Sequence, residues 1–288
     1  MKAKIIKIVS NQYTIYTEDN KEYVASARGI LRLGDKKPVV GDEVDYQIDS
    51  DRAMIGNIYP RKNQMIRPKI ANVDQAIVVM SAHEPDFSTS LVDRLCFLIS
   101  HANIEPVILV TKMDLVSEND EILNIIDDYR KSNFKVITTG ADDSIVEALK
   151  PVLKDKISVL TGQSGVGKSS LLNRINPELQ LNTQIISKAL NRGKHTTRHT
   201  ELHEIFQGLI ADTPGFSALD FSKMDAHELA LSVLEFRPYL QKCKFNDCIH
   251  ENEPGCAVKE AVLAGKVSKI RYTNYLDVLK TIKSKRKY

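Results

Sequence analysis

Gly162-Gln163-Ser164-Gly165-Val166-Gly167-Lys168-Ser169 meets the spacing G-x-x-x-x-G-K-[ST] of a phosphate-binding loop at every position. The run Lys156-Ile157-Ser158-Val159-Leu160 before it reads as a buried strand, and Ser170-Leu171-Leu172-Asn173-Arg174-Ile175 after it reads as the first turns of a helix. In that context a glycine-rich loop leaves backbone N–H groups free to wrap an anionic phosphate, helped by the positive end of the helix. Lys168 is expected to hold the β- and γ-phosphates as a point charge, and the Ser169 hydroxyl to ligate Mg²⁺. All residues from Gly162 through Ser170 are therefore assigned to a nucleotide, and the chain to the α/β class.

Upstream, Asp74-Gln75-Ala76-Ile77-Val78-Val79-Met80 and Pro106-Val107-Ile108-Leu109-Val110 are continuous apolar runs of strand length, with helical spacing from Ser90 to Ser100 between them. Cys96, inside that helix, reads as a packed core thiol. The second strand runs into Thr111-Lys112-Met113-Asp114, similar to the base-reading [NT]-K-x-D element of GTP-binding proteins. There a buried Asp accepts from guanine N1–H and the N2 amino group, and adenine offers neither donor. After a helix near Ile122 to Arg130, the strand Phe134-Lys135-Val136-Ile137 ends in Thr138-Thr139-Gly140, where Thr138 and Thr139 are assigned to backbone support of the base.

Downstream of the phosphate loop, Asn191-Arg192-Gly193-Lys194-His195-Thr196-Thr197-Arg198-His199-Thr200 resembles a first switch loop, with Thr196 or Thr197 completing the Mg²⁺ shell. Gly208-Leu209-Ile210-Ala211 enters Asp212-Thr213-Pro214-Gly215, a D-x-x-G element in which Asp212 holds the Mg²⁺ shell and the Gly215 N–H meets the γ-phosphate. The usual GTPase has the phosphate loop first and the base-reading element near its end; here the order is reversed, which is a circular permutation.

Two flanking segments differ from this middle. Residues 1–68 alternate apolar and polar positions: Ile6, Ile8 and Val9; Tyr13, Ile15 and Tyr16; Tyr23 and Val24; Val39 and Val40; then Val44, Tyr46 and Ile48 after a Gly41-Asp42 turn. Short strands so closely spaced predict a small OB-type β-barrel, with the basic loop Arg28 to Lys37 suited to phosphate contacts. Residues 220–288 return to helical spacing from Asp225 to Phe236 and then present Cys243, Cys248, His250 and Cys256 in the pattern C-x4-C-x-H-x5-C. Three thiolates and one imidazole enclose a tetrahedral Zn²⁺ with no open position, and the piece around them is too small for a rich core of its own.

Charge follows the same division. Basic residues outnumber acidic ones 13 to 9 over residues 1–70 and 13 to 8 over 221–288, while the middle carries 14 against 20. Two basic ends suggest surfaces that meet a polyanion such as nucleic acid. No apolar run is long enough to cross a bilayer, and the clustered cysteines suit a metal in a reducing compartment, so a cytoplasmic protein is expected.

Permuted GTPase elements between a barrel and a C-x4-C-x-H-x5-C segment closely resemble the ribosome small-subunit-dependent GTPase A family (RsgA) along the whole chain. The resemblance implies an OB-fold domain over 1–68, a circularly permuted GTPase domain over 69–219 and a zinc-binding helical domain over 220–288. It implies a monomeric factor in late maturation of the small (30S) ribosomal subunit, which contacts 16S rRNA and hydrolyses GTP to GDP when that subunit stimulates it. It also implies binding of guanosine tetraphosphate. The family's catalytic histidine, in G-[KR]-H-T-T, falls on His195, and Phe216 stands where many GTPases carry the Gln that orients water. Two other classes compete: an RNA-binding module with incidental turnover, and a P-loop ATPase or kinase, against which Asp114 argues.

Overall fold

The computed structural model of the chain describes residues 1–27, 29, 37–49, 52–66, 68–140, 144–176, 200–211 and 219–285. Its internal contacts divide it into two compact units. One holds Met1–Ala76, Val146–Leu160 and Ser169–Gly215, the other Ile77–Ile145, Thr161–Lys168 and Phe216–Tyr288.

In the first unit, β1 (Lys2–Val9), β2 (Gln12–Thr17), β3 (Glu22–Ala27), β4 (Glu43–Asp49) and β5 (Arg52–Ile58) close into a barrel in the order β1–β2–β3–β5–β4. Within the barrel β3 and β5 pair in parallel, while β1–β2, β1–β4, β2–β3 and β4–β5 are antiparallel. Period-two alternation turns Ile5, Tyr13, Ile15, Val44, Tyr46 and Ile55 inward, and the small Ala25, Ala27 and Ala53 leave room for them in a narrow interior.

The barrel departs from the sequence expectation in three places. Val24 and Ile48 are exposed. Val39 and Val40 form no strand; Val40 makes a single bridge to Ile70. The Gly41-Asp42 turn is a buried joint, where a Cβ on Gly41 would lie 2.1 Å from the Ala71 carbonyl oxygen. Asp42 there accepts from Arg61 Nε at 2.6 Å and from the Val39 N–H at 2.8 Å. A buried carboxylate persists only when so satisfied, which sequence periodicity does not register. Of the basic loop, Arg28 and residues 30–36 lie outside the described residues.

The remaining strands are β6 (Gln75–Ser81), β7 (Glu105–Thr111), β8 (Lys135–Thr138), β9 (Ile157–Thr161), β10 (Leu202–Ile205) and β11 (Gly208–Ala211), in the sheet order β10–β11–β9–β6–β7–β8. β6 and β9 are buried along their whole lengths, as strands covered on both faces must be. The helices are α1 (Thr89–His101), α2 (Glu121–Lys131), α3 (Ser144–Leu153), α4 (Lys168–Ile175), α5 (Ala226–Ser232), α6 (Ala257–Leu263) and α7 (Lys269–Lys285). A capping box between Asp225 and Glu228 starts α5, and Asp120 caps α2 through the Ile122 N–H.

In the second unit the C-terminal segment does not build a core alone. Leu229, Val233, Phe236, Val258, Tyr275 and Leu279 form one buried cluster with Phe97 of α1. The expected shortage of core is met by borrowing a face of α1, and a fully buried phenylalanine contributes roughly 1.5–3 kcal/mol. Cys96, beside Phe97, is buried as expected, and burial pushes its thiol pKa up.

Candidate functional site

The phosphate loop turns sharply out of β9. Gly162 has φ +131°, and a Cβ there would lie 2.0 Å from the Val79 carbonyl oxygen, so the first glycine is required by close backbone approach as well as by conformation. Val166 is buried, whereas Gln163, Ser164 and Gly165 are exposed. Lys168 opens α4, and its ammonium donates to the Gly162 carbonyl at 2.9 Å and to the Gln163 carbonyl. Partial burial lowers the Lys168 pKa. Ser170 is exposed on α4, and the side chain of Ser169 lies outside the described residues.

The turn after β7, residues 111–114, lies against this loop. Thr111, the buried last residue of β7, donates its hydroxyl to the Val166 carbonyl at 2.9 Å, with the Met80 carbonyl at 3.2 Å. Lys112 has φ +58° and caps the 3-10 turn Met113–Leu115, and its ammonium donates to the Glu84 carbonyl. Asp114 rides on that turn and is exposed.

The segment after β8 packs against the turn that carries Asp114. The Met113 N–H donates to the Thr139 carbonyl at 3.2 Å, and the Thr139 N–H to the Val110 carbonyl at 2.9 Å. Gly140 is the residue facing Asp114: a Cβ on it would lie 3.5 Å from Asp114 Oδ1. The signal missed in the sequence was a glycine two residues past the C-terminal end of a strand. Thr138 ends β8. His195, Thr196, Thr197, Asp212, Gly215 and Phe216 lie outside the described residues.

A second cluster lies in the C-terminal segment, where the ligand atoms of Cys243, Cys248, His250 and Cys256 are all within 4.8 Å of one another. His250 Nδ1 is 3.6 Å from Cys243 Sγ, and 3.4 Å from both Cys248 Sγ and Cys256 Sγ. A tetrahedral zinc ion with ordinary Zn–N and Zn–S bonds requires N···S edges of about 3.6 Å, so this donor set fits such an ion. Burial raises the Cys248 thiol to about 12 and lowers the His250 pKa, so a nearby cation is what would favour thiolate there. His250 has φ +60°, its carbonyl accepts from the Tyr272 hydroxyl at 2.7 Å, and its ring meets Phe236 edge-on at 5.5 Å. Nε2 of His250 is buried with no hydrogen-bond partner, so packing, not a second hydrogen bond, sets the ring.

On α7, Arg271, 1% exposed, donates from Nε to Asp93 at 3.1 Å, from Nη1 to Ser132 at 2.8 Å and to Glu235, and stacks on Tyr129. Asn274 Nδ2 and the Tyr129 hydroxyl complete Asp93 at 2.6 and 2.9 Å. Burial raises the Asp93 carboxyl pKa against the pull of that guanidinium. No motif announced this network, because its members come from four separate segments.

The profile of the RsgA GTPase family matches residues 58–222, and that of the RsgA N-terminal domain matches residues 2–55. The chain is similar to the small ribosomal subunit biogenesis GTPase RsgA of Bacillus pumilus (strain SAFR-032), 46% identical over 99% of this chain and 98% of the relative. It is similar to the protein of the same name from Geobacillus sp. (strain WCH70), 48% identical over 99% and 98%. Among solved structures it is similar to YloQ, described as a circularly permuted GTPase, with TM-score 0.86, 39% identity and 99% and 95% of the two chains covered. YjeQ from Thermotoga maritima aligns with TM-score 0.84 and 34% identity over 98% of each chain. Among the described residues no helix is long and apolar enough to cross a membrane.

Proposed function

This chain belongs to the RsgA GTPase family and hydrolyses GTP, and on that footing we propose that it acts as a late maturation factor of the small ribosomal subunit, stimulated by that subunit and touching 16S rRNA. The observation that carries the nucleotide reading is the Thr111 hydroxyl on the Val166 carbonyl, which brings base-reading turn and phosphate loop together although the chain writes them in reversed order. Asp114 accepts from guanine N1–H and N2, with Thr138, Thr139 and Gly140 beside it. The exposed carboxylate becomes desolvated only beneath a base, so adenine would leave it without donors.

Lys168 exchanges its two loop carbonyls for the β- and γ-phosphates. Ser169 together with Thr197, or Thr196 in its place, would hold Mg²⁺, which neutralises developing phosphate charge when bound. Asp212 supports that shell, and the Gly215 N–H meets the γ-phosphate. Phe216 has no polar atom with which to orient water, so His195 takes that role. Cys243, Cys248, His250 and Cys256 hold one structural Zn²⁺. The barrel over 1–68 and the helical piece over 220–288 supply rRNA contacts, and residues 69–219 form the GTPase region. The protein works as a cytoplasmic monomer and also accepts guanosine tetraphosphate.

Single-turnover GTP hydrolysis with and without purified small subunits tests the reading. A large acceleration that disappears in H195A, with nucleotide affinity nearly constant, supports it. Unstimulated turnover would favour an RNA-binding module with incidental hydrolysis, and normal stimulation in H195A would remove His195 from the chemistry.

A further inference from the structure

The loop between β6 and α1 carries a residue that neither motif includes. His83 Nε2 is 2.7 Å from Asp120 Oδ2, while Asp120 Oδ1 accepts from the Ile122 N–H at 3.1 Å. One carboxylate therefore starts α2 with one oxygen and holds the imidazole with the other. The next residue, Glu84, has φ +52°, and its carbonyl receives the ammonium of Lys112, itself at φ +58° two residues before Asp114. Pro85 follows; a methyl on Gly165 of the phosphate loop would lie 4.0 Å from its Cδ. The buried Ser81 hydroxyl donates to the Pro85 carbonyl at 2.6 Å, and the Phe87 N–H to the Ala82 carbonyl at 3.3 Å, closing the loop on itself. The segment Ala82–Phe87 thus bonds the turn that carries Asp114 and lies beside Gly165 of the phosphate loop.

We propose that His83 is a positioning residue for the guanine nucleotide: held on Asp120, it sets the Ala82–Phe87 loop so that the Glu84 carbonyl anchors Lys112 and Pro85 backs the phosphate loop, which slows nucleotide release. The inference rests on the nucleotide reading given above. Glu84 and Lys112, both non-glycine residues in the left-handed region, meet through the Lys112 ammonium on the Glu84 carbonyl, and the His83–Asp120 contact ties the residue next to Glu84 to the start of α2.

The charges facing the imidazole are Asp120, at the N-terminus of α2, and Asp86, whose Oδ1 is 3.7 Å from Nδ1; Lys112 lies beyond, on the Glu84 carbonyl. The bond to Asp120, and then Asp86, raise the His83 pKa above its ordinary value. The cationic form therefore makes the anchor, which is complete at acidic pH and weakens as pH rises through the raised pKa. A neutral imidazole keeps an ordinary hydrogen bond and loses the charge-assisted one.

The test is release of a fluorescent GDP derivative from the full-length protein, chased with GDP between about pH 6 and about pH 8.5, a range that spans imidazole titration. Wild-type release should accelerate about fivefold across the range, the difference between a charge-assisted and a neutral hydrogen bond. H83A should release quickly at every pH. H83Q, a neutral donor, should give a pH-independent rate near the wild-type alkaline limit, and D120N, which keeps the N-cap acceptor but turns an amide donor toward the imidazole, should lose the slow release at acidic pH. A wild-type pH slope retained in H83Q, or release from H83A as slow as wild type at acidic pH, overturns the proposal and leaves the GTPase reading intact. Failure of the wild type to bind GDP overturns both.

Discussion

The Thr111 hydroxyl donates to the Val166 carbonyl at 2.9 Å, joining positions 55 residues apart in the chain. Both groups are buried, so the bond cannot be exchanged for water. It fixes the spacing between the turn that carries Asp114 and the loop that ends in Lys168.

T111V keeps the shape of the side chain and removes the donor. Stability should fall by about 1 kcal/mol, and GDP affinity about fivefold, because the Val166 carbonyl loses its partner and the two halves of the site gain play. T111S should restore both. Thermal denaturation and calorimetric titration read the two effects separately, and an unchanged GDP affinity in T111V would show that the bond does not set the pocket.

G162A places a methyl 2.0 Å from the Val79 carbonyl oxygen, in a backbone conformation unsuited to L side chains. Backbone, not a pliable side chain, is the obstacle, so the loop itself must move. A loss of about 2 kcal/mol or more is expected, with nucleotide binding abolished. Retained binding in a folded variant would mean that the loop tolerates displacement from β6.

R271M would leave Asp93 buried without its guanidinium. The expected cost is about 3 kcal/mol or more, since one partner of a buried pair remains charged and uncompensated. R271K should recover little, because one ammonium cannot serve Asp93, Glu235 and Ser132 in the same planar fan. Urea unfolding of the three proteins checks this, and a loss in R271M no greater than that of a surface substitution would contradict it.

Metal analysis should find about one zinc ion per chain, removed by a strong chelator and absent from C256S. Its loss should lower the thermal midpoint and expose the segment around Cys243–Cys256 to proteases. Affinity should fall as pH is lowered, because three thiols and one imidazole take up protons in place of the ion. A chelator-treated protein with an unchanged melting curve would assign the cluster no structural role.

Where a local pattern carries the physics, the sequence was legible. Gly162 to Ser169 needs a spacing and a flanking periodicity, and the structure returns β9, the loop and α4 in that order. The C-x4-C-x-H-x5-C pattern likewise converges on one point, because a short loop leaves four ligands few ways to diverge. Burial and partnership were not legible. Val24 and Ile48 of the alternating pattern are exposed, Gly140 is the residue that faces Asp114, and Val40 makes a single bridge to Ile70 where a strand was expected. Each depends on what a distant segment brings to the same place.

The order of the elements along the chain, and with it the permuted GTPase architecture and the Cys/His cluster, was determined by the amino-acid sequence alone, because glycine spacing, apolar periodicity and donor chemistry act over a few residues. Tertiary structure decided how these pieces are tied. Thr111 reaches Val166, His83 reaches Asp120, and Arg271 gathers Asp93, Ser132 and Glu235. Such bonds join residues that are neighbours only after the sheet and helices have packed, and a buried polar group takes whichever partner the fold leaves within reach.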